Sequence, residues 1–184
     1  MKIYRNPIRI GRNDIFIDLE EWKYLYQGEH RLETPYAYGS YQDIKMAFIY
    51  EPDAEAKYIT GVSYHDFKQN EHAGSTIRPV IYGSDNKNQP DIELWSGPSR
   101  QSTGEGWVEV YIPLAEQLEI GSYDYYWIII EITNPAVSWS GIGTDNGPSV
   151  SDANLYNITG SWVHLSDMSY NQNWLIECLV SYTG

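Results

Sequence analysis

The chain has 184 residues, of which 42% are hydrophobic and 15% aromatic, with 25 acidic against 12 basic side chains for a formal net charge of -13. That length suits a single domain that buries roughly 70% of its unfolded chain's surface, and its aromatic content excludes intrinsic disorder. The negative field repels phosphate, which excludes nucleic acid as a partner.

Taken in chain order, the first residues lack the apolar stretch of ~7–15 residues that a secretory signal needs, so the chain as given is read as carrying no signal peptide. Residues 15–26 fit two patterns: Phe16, Leu19, Trp22 and Leu25 suit a short helix, while Ile15, Ile17 and Leu19 suit a strand. Beyond them, alternation with period two recurs and is broken by Gly, Pro, Asn and Asp. It predicts strands at 45–50, 58–67, 76–82, 106–113, 125–133 and 174–182. Turn chemistry such as Glu51-Pro52-Asp53 and Thr133-Asn134-Pro135 separates them.

Along 107–112, Val108, Val110 and Ile112 form a face expected in the core, and Trp107, Glu109 and Tyr111 form a wetter one. The run at 125–130 is apolar on both faces, as in a central strand, and is far short of the ~20 residues of a membrane-spanning helix. Residues 85–90 read as a polar loop, and 139–159 as a long irregular excursion. The final strand places Cys178 on one face with Trp174, Ile176 and Val180, which predicts a buried, unreactive thiol. Together these features predict one all-β domain over 1–184, a two-sheet antiparallel β-sandwich of jelly-roll type.

The order of several motifs resembles a known family. Lys57-Tyr58-Ile59-Thr60-Gly61-Val62-Ser63-Tyr64, Thr76-Ile77-Arg78-Pro79-Val80-Ile81-Tyr82-Gly83 and Gly106-Trp107-Val108-Glu109-Val110-Tyr111-Ile112-Pro113-Leu114 resemble successive strands of bacterial cleaved-adhesin and choice-of-anchor modules. The 125–133 strand, the loop Gly143-Thr144-Asp145-Asn146-Gly147-Pro148, and the segments at 160–165 and 173–177 extend the likeness over about residues 45–184. Such modules occur on secreted and surface proteins and behind some secreted cysteine peptidases. The resemblance implies a sandwich without catalysis, used for attachment, adhesion or glycan contact, and it carries over no catalytic residue.

The residues themselves point the same way. His65 and Asp66 are strand neighbours on opposite faces, His30, His72 and His164 lie in separate segments, and no nucleophile elbow or phosphate loop is present. Glu109 and Glu131, on strands that look adjacent, are the carboxylate pair a glycosidase would need. Asp145, Asn146 and Asp152 offer hard oxygen ligands for a structural Ca²⁺, although Asp-Asn-Gly-Pro is also ordinary turn chemistry. No other cofactor is indicated.

Because the apolar face of a sugar stacks on an indole, Trp139, Trp162 and Trp95, next to turns or in loops, are the candidate ligand-binding residues. Trp107, Trp127 and Trp174 are assigned to the core. The expected role is a non-catalytic interaction module displayed on a cell or virion surface, contacting a glycan or a protein without membrane insertion. The alternative is a self-associating structural subunit, such as a virion decoration or tail protein or a filament protomer.

Overall fold

The computed structural model describes residues 23–25, 36–37, 43–68, 74–104, 106–135, 140–144, 153–157, 160–168 and 172–182. Among them there is no α-helix, only 3-10 turns at Leu114–Glu116 and Leu165–Met168. The strands are β1 (Lys23–Leu25), β2 (Tyr36–Ala37), β3 (Asp43–Tyr50), β4 (Tyr58–Lys68), β5 (Thr76–Ser84), β6 (Ile92–Ser96) and β7 (Arg100–Gln101). They continue with β8 (Gly106–Tyr111), β9 (Leu118–Glu119), β10 (Tyr125–Thr133), β11 (Ser140–Ile142), β12 (Asn154–Asn157), β13 (Trp162–His164) and β14 (Ile176–Ser181).

Two sheets result, and every pairing is antiparallel. In sheet A, β1, β14, β4, β11 and β2 are hydrogen-bonded in succession, with β8 and β9 also on β4; sheet B runs β13-β12-β3-β10-β5-β6, with β7 on β5. The chain changes sheet at most connections: β3 lies in B, β4 in A, β5 in B, β8 in A, β10 in B, β11 in A, β12 in B and β14 in A. β4 is the spine of sheet A. Val62 pairs with Cys178 of β14 on one side and Val110 of β8 on the other, which makes β8 a margin of the sheet among the described residues.

The apolar parity of each strand explains the layering. Ile44, Met46 and Phe48 of β3, Ile128, Ile130 and Ile132 of β10, and Ile77 and Ile81 of β5 meet Val62, Tyr64, Ile176, Cys178 and Val180 of sheet A in the main core. Each fully buried aliphatic side chain contributes about 1.5–3 kcal/mol. A smaller cluster of Ala47, Ile49, Trp127, Ile129 and Leu155 lies on the other face of sheet B, so β10 is buried on both sides as its sequence predicts.

The structure revises several expectations. Part of the 15–26 stretch, at β1, is a strand on β14. Within 139–159, β11 pairs with β4 and β12 with β3, so this segment carries two ladders between its loops. Trp127 and Trp174 are in the core, but Trp107 is 42% exposed because it shares the outward parity of Glu109 and Tyr111. Cys178 is fully buried, and burial pushes its thiol well above the usual range.

Candidate functional site

A cleft of about 690 Å³ opens at one end of the sandwich, between the turn after β3 and the turn before β10. Its size falls within the ~300–1,000 Å³ of typical ligand sites. Glu51, Tyr58, Glu119, Tyr123, Asp124 and Tyr125 contribute to its lining, with Lys57 among them.

Local chemistry fixes each wall. Asp53 closes the first turn by accepting the Glu55 and Ala56 N–H groups at 3.1 and 2.9 Å on Oδ1, an Asx-type turn, while its Oδ2 accepts the Tyr182 hydroxyl at 3.0 Å. The second turn needs Gly121, whose φ of 126° disfavours any side chain, and the Gly121 N–H donates to Tyr126 Oη at 3.1 Å. Tyr123 lies over Gly83 of β5, where a Cβ would come within 2.3 Å of its ring, and meets Tyr126 edge-on at 6.1 Å.

The polar loop at 85–90 braces the rim. Asp85 Oδ1 accepts the Asp124 N–H at 3.2 Å, and Lys87 pairs with Glu51 at 3.1 Å with its ammonium 5.0 Å from the Tyr125 ring centroid. That pairing is solvent-exposed and contributes little to stability. The lining therefore combines tyrosine rings with carboxylate acceptors and an excess of negative charge. Such a surface can stack on apolar ring faces and accept hydroxyl hydrogens, and it disfavours anionic ligands.

Of the residues singled out from the sequence, Trp95 and Trp162 do not line this cleft. Trp95 sits on β6, paired with Ile81, and is 9% exposed in the main core, so its indole offers no open face. Trp162 is half-buried on β13 and packs on Trp127 at 5.1 Å and 60°. Trp139, Asp145, Asn146 and Asp152 lie outside the described residues, as do His30 and His72. Among the described residues, no group of three or more His, Cys, Asp or Glu is arranged to hold a metal ion.

Glu109 and Glu131 are not neighbours. They point outward from opposite sheets, and packed sheets are already ~10 Å apart, beyond the separation a glycosidase pair uses. Glu131 instead accepts Lys45 Nζ at 2.6 Å and Arg78 Nε at 3.0 Å. Burial pushes its carboxyl up, but the hydrogen bonds from Lys45 and Arg78 outweigh it and hold the group below its ordinary value. His65 and Asp66 do face opposite ways: His65 meets Trp107 edge-on at 5.8 Å, while Asp66 is fully buried and accepts Ser102 Oγ at 2.6 Å and the Thr103 N–H at 2.8 Å.

The cleft escaped sequence reasoning because its walls come from separate turns. The turn signal of Glu51-Pro52-Asp53 was visible, but not its meeting with the turn at Gly121.

No family model matches the chain, and no curated protein sequence matches it either. Among solved structures it is similar to the clostridial cysteine protease Cwp84 after propeptide cleavage, with a TM-score of 0.60 and 10% identity over 88% of this chain and 40% of that one. It is also similar to the cysteine protease and lectin-like domains of Cwp84, a surface layer associated protein of Clostridium difficile, with a TM-score of 0.51 and 10% identity over 77% of this chain and 33% of that one. The chain thus spans less than half of either structure, and the likeness is one of fold.

Proposed function

We propose that this chain is a non-catalytic, surface-displayed β-sandwich module that contacts glycans through the cleft between the β3–β4 and β9–β10 turns. The observation that carries this reading is the lining: Tyr58, Tyr123 and Tyr125 beside Glu51, Glu119 and Asp124 in one concave site. Tyrosine faces stack on pyranose rings, and carboxylates accept their hydroxyl hydrogens. Support for outer-surface display comes from the motif order of cleaved-adhesin and choice-of-anchor modules, and from the fold likeness to a structure containing a lectin-like domain. The repeated crossing between sheets favours a jelly-roll connectivity. No cofactor is required for this role.

The test is a glycan array probed with the protein displayed multivalently, since clustering raises weak affinities into the detectable range. Neutral glycans should be retained, and Tyr125→Ala should lose about tenfold in affinity. A blank array, or binding indifferent to Tyr125→Ala and Asp124→Asn, would remove the cleft from this role. The competing reading, a structural subunit that self-associates, draws on the marginal position of β8 with its exposed apolar side chains. Concentration-dependent oligomers in sedimentation would favour it.

A further inference from the structure

The outer face of β8 carries a row of side chains that the cleft does not use. Trp107 and Tyr111 are 42% and 49% exposed, and Glu109 lies between them on the same face. Residues four apart on a strand stand about 13 Å from one another. Both rings are held in place: Trp107 by the edge-on contact with His65 of β4, and Tyr111 by donating its hydroxyl to the Glu109 carboxylate. Beyond the end of β8, in the 3-10 turn that follows, Leu114 is 79% exposed.

We infer that this row is a second carbohydrate platform, which takes an internal stretch of an extended, uncharged polysaccharide laid along β8. The inference rests on the glycan reading above and adds a site and a ligand class to it. Three features select this occupant. The sequence of ring, carboxylate and ring suits a chain that presents apolar sugar faces at intervals and hydroxyl donors between them. Among the described residues β8 pairs only with β4, so a polymer can run along it past both rings, whereas a closed pocket would select chain ends. The spacing of about 13 Å is more than a monosaccharide can bridge.

Other occupants fit less well. An apolar protein partner would take the Glu109 carboxylate out of water, and the hydroxyl that Tyr111 donates to it offsets only part of that cost. A second copy related by two-fold symmetry would bring like rows together, with Glu109 facing Glu109 on protomers of net charge -13. Anionic polymers meet the same repulsion.

The experiment is native electrophoresis of the full chain in gels containing hydroxyethyl cellulose, galactomannan, glycol chitin or, as the anionic control, alginate. It is paired with calorimetry on cello-, manno- and chito-oligosaccharides from monomer to hexamer. At least one neutral polymer should retard the protein. Trp107→Ala and Tyr111→Ala should each weaken this about tenfold while the protein still unfolds in one cooperative transition well above the assay temperature, and Tyr125→Ala should leave it intact. Affinity should rise with oligomer length until both rings are spanned.

Retardation that survives both strip variants but is lost in Tyr125→Ala would overturn the inference and leave the cleft reading standing. Absence of retardation in every gel, with glycan-array binding that depends on Tyr125, would have the same meaning, while a blank array as well would defeat both readings. Equal retardation by alginate would overturn the uncharged class. Dimerisation abolished by Trp107→Ala would assign the strip to a second copy instead.

Discussion

Asp66 offers the sharpest test of how this sandwich is held. It occupies an inward position on β4 at the end of the core, fully buried, where a carboxylate without donors would cost several kcal/mol. The segment entering β8 supplies them: Ser102 Oγ donates to Oδ1 at 2.6 Å, and the N–H groups of Thr103 and Gly104 donate to Oδ2 at 2.8 and 3.2 Å. Hydrogen bonds to a charged acceptor are worth about 1.5–3 kcal/mol each, but residues 102–104 are partly exposed and water would replace part of the loss. Asp66→Ala should therefore cost about 3 kcal/mol, a fall in Tm of about 6–12 °C for a domain of this size.

Asp66→Asn is the informative partner. Its amide oxygen can still accept both backbone N–H groups, while its NH₂ faces Ser102 Oγ, which can turn from donor to acceptor. Only charge assistance is lost, about 1 kcal/mol. Urea unfolding followed by tryptophan emission gives both values, and amide exchange at Thr103 and Gly104 should accelerate far more in the alanine variant. An alanine cost below about 1 kcal/mol, or an asparagine cost equal to it, would show that this turn is anchored elsewhere.

Three further outcomes follow from the same reasoning. Gly83→Ala should displace Tyr123 from β5, lowering stability by about 1–3 kcal/mol and weakening any ligand of the cleft; an unchanged Tm and affinity would contradict the seating of that ring. Glu131 has a folded pKa below its unfolded value, so its contribution is complete above the unfolded carboxylate range near pH ~4 and fades as pH falls through the folded value. The Tm difference between wild type and Glu131→Gln should accordingly be largest at neutral pH and shrink below about pH 4, and a pH-independent difference would refute the assignment. Cys178, with its thiol pushed up by burial, should resist a thiol reagent in the folded protein and react once urea unfolds it, whereas prompt native labelling would contradict its position.

Strand parity was the most legible property of this chain. The inward Val108 and outward Glu109 of β8, the inward Ile112 just beyond it and the interior Cys178 follow from period two, and the two-sided burial of β10 follows from its unbroken apolar run. Trp107 shows parity overruling composition: indole bulk suggests a core residue, yet its place in the alternation turns it outward. Trp95 shows the converse, since the following Ser96-Gly97-Pro98 reads as a turn while its pairing with Ile81 draws the ring inward.

Short strands such as β11, β12 and β13 have too few residues to display a period, and their neighbours impose the extended form. Which strands become neighbours is a long-range outcome that local alternation does not encode. For that reason Glu109 and Glu131 looked adjacent and lie on opposite sheets, and the two turns of the cleft gave no sign that they would meet.

The position of β14 sets a timetable for folding. Its residues lie between β1 and β4 in sheet A, pairing Cys178 with both Leu25 and Val62. At ordinary synthesis rates, Val62 waits on the order of ten seconds after translation for Cys178 to be made. Until then β4 has an open flank, and an apolar strand edge of this kind is an aggregation hazard in a nascent chain. Sheet A can close only when this late segment inserts, so the final step is the filling of an interior slot, a non-local event expected to be slow in forming and slow to reverse.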